Sequence, residues 1–182
     1  MSDLLNIEKA ALVRGGRSLF ENLSLTLGRG EAIHVTGPNG CGKSSMIRMV
    51  AGLLAPSAGR VSRAAVALAD EGLALDRELP LGRALHFWNG PKLGEAMTAF
   101  DLDRLSDVPV RLLSTGQAKR ARLARVMASG APLWLLDEPL NGLDSDGVVR
   151  LDAAIVEHRA GGGAVLAASH VALGGPWREL RL

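Results

Sequence analysis

The sequence holds a single cysteine, Cys41, and a single glutamine, Gln117. One thiol cannot make an internal disulfide, so burial alone must hold the fold, and a reducing compartment suits it. No apolar run approaches the ~18 residues that a membrane-spanning helix needs. The opening MSDLLNIEKAALVRG also lacks the charged-then-apolar grading of a secretory signal. The chain is therefore expected neither to cross a membrane nor to be exported, and any membrane role must come through a partner. A strong charge of one sign is missing too, since the formal net charge is +2. The one local basic run, Lys119, Arg120, Arg122 and Arg125, reads as a solvated helix face and not as a nucleic-acid footprint. His34, His86, His158 and His170 stand apart from other ligand types at metal spacing, so no structural metal site is expected. Internal repeats and low-complexity tracts are absent.

What remains is globular. A chain of 182 residues with 47% apolar and 22% charged residues fits one domain with a core of its own. At this size folding hides roughly 70% of the surface that the unfolded chain exposes. Short apolar runs alternate with helical patterns, the mark of an α/β domain with a mostly parallel sheet. Strands are expected at Ala32–Thr36, Ala65–Ala69, Leu133–Leu136 and Ala164–Ala168. Helical periodicity runs from Lys43 to Leu54 and from about Asp146 to Arg159, where Gly161–Gly163 breaks it. Leu4 to Leu27 carries period-two patches suited to antiparallel strands beside a ligand. From about Gly72 to Met127 the pattern is helical with no convincing strand, which divides the single domain into a core (1–71 and 131–182) and a helical insertion (72–130).

The strongest local signal is Gly37-Pro38-Asn39-Gly40-Cys41-Gly42-Lys43-Ser44, followed by Ser45, between an expected strand and an expected helix. Phosphate oxygens need several donors at close range. Glycines let backbone N–H groups turn inward, and a helix N-terminus adds a favourable dipole. Lys43 has the reach for β- and γ-phosphates, and the Ser44 hydroxyl is suited to Mg²⁺. Leu133-Trp134-Leu135-Leu136-Asp137-Glu138 is an apolar strand ending in two acids, one placed for the metal shell and one for an attacking water. By itself that ending is weak, since many strands finish in an acid. Leu113-Ser114-Thr115-Gly116-Gln117 opens a helix and, read alone, is an N-cap.

The order of these segments is more specific than any one of them. A phosphate loop is followed by LSTGQ, by LLDEP, by Asn141-Gly142-Leu143-Asp144, and by a strand ending Ser169-His170. This order resembles the ABC transporter ATP-binding family over the whole chain. The resemblance implies a P-loop NTPase fold of the ABC ATPase type, with a mostly parallel core sheet, flanking antiparallel strands and a small helical subdomain. It implies ATP and Mg²⁺ as cofactors, with Ser44 and Asp137 at the metal and Glu138, His170 and Lys43 as catalytic groups. It implies a homodimer with two ATP molecules sandwiched between copies, where Ser114, Gly116 and Gln117 serve the nucleotide of the other copy and Asp144 couples the two sites.

The segments DVPVRLLSTGQAKRARLARV, WLLDEPLNGLD and GVVRLDAAIVEH are more narrowly similar to the ATP-binding subunit of the haem exporter of cytochrome c maturation. That likeness implies an integral membrane partner, no direct haem contact, no nucleic acid, and a peripheral place on the cytoplasmic face of the inner membrane. Two departures stand out. Where the family carries an aromatic residue to stack on adenine, this chain has Arg14, whose planar guanidinium can stack in its place. Where the family has a glutamine after the second core strand, this chain has Asp70 and Glu71. An ABC ATPase of another export system, a non-transport ABC ATPase, or a nucleotide-binding subunit without catalysis stays open on sequence alone.

Overall fold

The computed structural model describes residues 3–72, 75–88 and 90–182; the parts of the expected helical insertion at 73–74 and 89 lie outside them. Two sheets form. β1 (Leu5–Arg14), β2 (Arg17–Leu27) and β4 (Ala58–Arg63) make an antiparallel sheet in the order β2-β1-β4. β3 (Ala32–Thr36), β5 (Val66–Ala69), β6 (Leu133–Asp137), β7 (Ala164–Ala168) and β8 (Arg178–Arg181) make a sheet in the order β5-β6-β7-β3-β8, every neighbour parallel.

The parallel sheet is covered on both faces, which is why its strands read as unbroken apolar runs. Side chains alternate along β6. Leu133 and Leu135 join Ile33, Val35, Leu166 and Ala168 under α1 (Lys43–Ala51) and the antiparallel sheet. Trp134 and Leu136 face the other way, toward α4 (Thr115–Ala128) and α5 (Ser145–Ala160). Burying each such side chain stabilises by roughly 1.5–3 kcal/mol. Trp134 also stacks on His158 of α5, with centroids 3.9 Å apart and planes 10° from parallel. Between β5 and α4 lie the short helices α2 (Leu81–His86) and α3 (Leu93–Ala99) and two single 3₁₀ turns. Among the described residues this stretch contains no strand, only a lone bridge between Pro80 and Pro109.

Some expectations need correction. α1 stops at Ala51, not Leu54, because Gly52 adopts φ 80° and turns its N–H back onto Arg48 and Met49. β4 (AGRVSR) and β8 (RELR) were not legible, being polar and exposed. They exist because β1 and β3 offer edges to pair with. The basic run on α4 is not a solvated face. Lys119 is 3% exposed, and the Arg120 side chain 11%. Arg120 donates to the Phe100 carbonyl at 3.3 Å, Arg122 to those of Asp70 (3.1 Å) and Glu71 (2.8 Å), and Arg125 to that of Leu68. Arg125 also lies over the Trp88 ring. The physical reason is that α4 is packed on every side: Ala121, Leu123, Ala124, Val126, Met127 and Ala128 are buried and no residue from 116 to 128 is exposed, so its cations must find partners inside. Among the described residues no helix is long and apolar enough to cross a membrane.

Candidate functional site

β3 ends at Thr36, and the chain then turns through the glycine loop into α1. Gly37 stands at φ 142°; a β-carbon there would meet the Cys41 sulfur at 2.8 Å and the Leu182 carbonyl at 2.9 Å. Gly42, at φ 117°, precedes α1 without any side-chain cap. The first N–H groups of α1 therefore have no side-chain partner, which leaves a helix N-terminus open to an anion. The other two long helices differ. Ser114 and Gln117 close a reciprocal capping box on α4, and Asp144 accepts from the Gly147 N–H at 2.8 Å on α5.

A cavity of about 440 Å³ opens at the α1 N-terminus, lined by Asn39, Gly40, Gly42, Lys43, Ser44 and Ser45 from the loop. Arg14 and Leu19, from the strands of the antiparallel sheet, and Glu138 complete its wall. Arg14 reaches Ser45 Oγ at 3.4 Å. The Lys43 ammonium bends back onto the carbonyls of Gly37 (2.8 Å) and Pro38 (3.3 Å). Gly37, Pro38 and Cys41 do not line the cavity; they form the base of the loop, with the sulfur of Cys41 against Gly37. A larger open groove of about 910 Å³ lies on the antiparallel sheet near Lys9 and Arg60, away from all of these residues.

Two pairs meet at the C-terminal end of the parallel sheet. Asp137 continues the Leu133, Leu135 side of β6, the side that faces α1, and its Oδ1 accepts from Ser44 Oγ at 2.9 Å. Burial pushes its carboxyl above the usual carboxylate range, against the opposing pull of the Ser44 hydrogen bond and of Arg48. Ser44 and Asp137 are a hard oxygen set of the kind that holds Mg²⁺ together with phosphate oxygens and water. Among the described residues no cluster of three His, Cys, Asp or Glu side chains could hold a metal without such help. The next residue, Glu138, leaves the strand at φ 46°, and its Oε2 lies 2.8 Å from Nδ1 of His170, just beyond β7. Glu138 is largely buried there and His170 half-exposed.

The remaining expected site residues gather elsewhere. Ser114, Gly116, Gln117 and Asp144 do not line the cavity. They stand on a second surface, where Gly116 and Thr115 pack against the loop at Gly142. Asp70, on the loop after β5, makes local contacts in this arrangement. Its Oδ1 accepts from the Gly72 N–H at 3.1 Å, and its Oδ2 lies 4.0 Å from Arg48. Sequence reasoning missed Lys119, which reaches from α4 to the backbone carbonyl of Glu138 at 2.7 Å. Burial and the neighbouring Arg122 lower its pKa from the usual value to about 8, while Asp137, Glu71 and Glu138 oppose the shift. Its place on α4 between the directions of Val126 and Leu123, inside the wide apolar arc, was the signal that could have revealed it.

A glycine loop on an uncapped helix, with an acid pair at the end of β6, two strands from β3, defines a nucleotide-binding site of the P-loop type. A sequence model of the family described as ABC transporter matches residues 20–141, more than half of the chain. The chain belongs to that family, whose ATP hydrolysis is coupled to transport. The ATP-binding subunit of an ABC transporter has the same fold, with a TM-score of 0.84 at 24% identity, covering 92% of this chain and 80% of that one. The cytochrome c biogenesis ATP-binding export protein CcmA of Sphingopyxis alaskensis is 57% identical over 183 residues, 97% of this chain and 94% of that protein. Its counterpart in Novosphingobium aromaticivorans is 60% identical over 159 residues, 86% and 83% of the two. Within the ABC family this chain stands with the cytochrome c biogenesis ATP-binding export proteins.

Proposed function

We propose that this protein is the Mg²⁺-dependent ATPase subunit of a transporter that exports haem for cytochrome c biogenesis. ATP lies in the cavity at the α1 N-terminus, its phosphates against the loop amides and Lys43, its adenine against Arg14. Ser44 and Asp137 hold Mg²⁺, which supplies charge neutralisation at the phosphates when bound. Glu138 accepts the proton of the attacking water, and His170 holds that carboxylate and the water in register. Two copies face each other, so that Ser114, Gly116 and Gln117 of one complete the phosphate site of the other and Asp144 links the two. The pair works on an integral membrane subunit, from the cytoplasmic face of the inner membrane, and makes no contact with haem or nucleic acid.

One observation carries the hydrolytic part of this reading, and the likeness to the cytochrome c biogenesis export proteins supports the rest. The Ser44–Asp137 and Glu138–His170 pairs stand side by side, and the loop cavity is walled by one member of each. Two measurements test it. Glu138→Gln keeps the shape of the side chain but cannot take a proton, and loss of a positioned base costs on the order of 10²–10⁴ in rate. That variant is expected to bind ATP, to stop hydrolysing it, and to run as an ATP-dependent dimer in gel filtration. Mild detergent extraction is expected to bring an integral membrane protein down with the chain. Hydrolysis by Glu138→Gln at the unmodified rate would overturn the assignment of the base.

A further inference from the structure

Glu138 adopts φ 46°, a conformation in which a side chain crowds its own carbonyl. Such a peptide persists only where its surroundings hold it. Its N–H donates to the Ala168 carbonyl at 2.8 Å. Its carbonyl accepts from the Asn141 N–H at 3.3 Å and from the Lys119 ammonium at 2.7 Å. The lysine bond is the shortest of the three and the only one from a charged donor, which makes it the strongest. Through the same residue the carboxylate is aimed at His170.

Lys119 itself is costly to keep. It is 3% exposed, and among the described residues no carboxylate forms an ion pair with it. A buried ammonium with no carboxylate in direct contact disfavours folding, since the more distant Asp137, Glu71 and Glu138 offset only part of its burial, and an apolar side chain of similar length would be the better choice for stability alone. What the ammonium returns is geometry, since it clamps the one peptide whose strain directs the carboxylate toward the cavity. We propose that Lys119 is a positioning residue for Glu138, acting through the Glu138 carbonyl, so that without it the peptide relaxes and the carboxylate swings off the line it shares with His170. This inference rests on the reading of Glu138 as the base.

The test uses Lys119→Met, Lys119→Arg, Glu138→Gln and the double variant Lys119→Met with Glu138→Gln. Each is assayed as the assembly copurified from membranes, with thermal melting measured alongside. Lys119→Met is expected to lower kcat about ten- to a hundredfold, the scale of a misplaced catalytic group, with KM for ATP and the melting temperature unchanged or the latter raised. Lys119→Arg, which keeps a charged donor, is expected to recover part of the rate. On the Glu138→Gln background, Lys119→Met is expected to change nothing further, because the group it positions is gone. Should Lys119→Met fail to fold, Lys119→Gln, with a shorter neutral donor, replaces it in both backgrounds. An unaltered kcat in the single variant overturns the proposal. So does an equal fold-loss with and without the Glu138 carboxylate, which would mark a general structural effect. Normal hydrolysis by Glu138→Gln alone strikes instead at the assignment of the base.

Discussion

Ser44 and Asp137 lie 93 residues apart in the chain, yet the hydroxyl of one donates to the carboxylate of the other at 2.9 Å. The alternation of β6 explains the meeting, because Asp137 is two residues beyond Leu135 and faces the same helix. The same burial that brings the carboxylate to α1 raises its pKa, so the charge is held at a cost to the metal-free fold.

Asp137→Asn should therefore melt at the same or a higher temperature than the unmodified protein without Mg²⁺, since the buried charge is gone. With MgATP the order should reverse. The Mg²⁺ concentration for half-maximal ATP binding should rise by at least the ~10-fold that losing even an outer-shell partner costs. Ser44→Ala should shift it the same way. Calorimetric melts across a Mg²⁺ series check both effects, and an unshifted Mg²⁺ requirement would show that these two oxygens do not bind the ion.

Arg14 stands at the cavity wall with its guanidinium near Ser45. Arg14→Ala should weaken ATP binding several-fold, since a stacked cation contributes on the order of 0.5–2 kcal/mol. Arg14→Tyr should keep or improve affinity. Dissociation constants for ATP and for inorganic triphosphate separate the cases: a stacking residue affects the first and leaves the second alone.

Cys41 is the only thiol, so its labelling is read unambiguously from intact mass. Its sulfur packs at the base of the loop against Gly37, and a maleimide there must push the loop off that glycine. Labelled protein should lose ATP binding, and MgATP should slow labelling by holding the loop closed. If MgATP leaves the labelling rate unaltered, this loop does not close on phosphate.

His158 stacks on Trp134, and burial lowers its pKa from the usual value of 6.5. The unfolded chain therefore takes up this proton at a higher pH than the folded one does. Stability from this site is fully present above pH 6.5 and drains as pH falls below it, toward the folded pKa. His158→Phe keeps a stacked ring without a titrating group. Denaturant midpoints measured at pH 7.5 and 5.5 should fall less for this variant than for the unmodified protein; equal losses would assign the acid sensitivity elsewhere.

What the sequence alone determined was local. The phosphate loop, the strand–loop–helix around it, the Ser114–Gln117 cap and the acids closing β6 are set by residues within a few positions of one another. Glycine, capping and alternation rules act over that range, which is why these features could be read without a structure. The longer-range facts had another origin. β4 and β8 carry no strand pattern of their own and form because β1 and β3 present edges to them. The cations of α4 look like a solvent face until the helix is found buried all round, and only then does Lys119 turn out to hold the Glu138 carbonyl. The pairings Ser44 with Asp137, and Glu138 with His170, likewise join segments that no local rule connects. Packing of both faces of one parallel sheet brings them within 3 Å, because a buried polar group must find its partner wherever the fold supplies one.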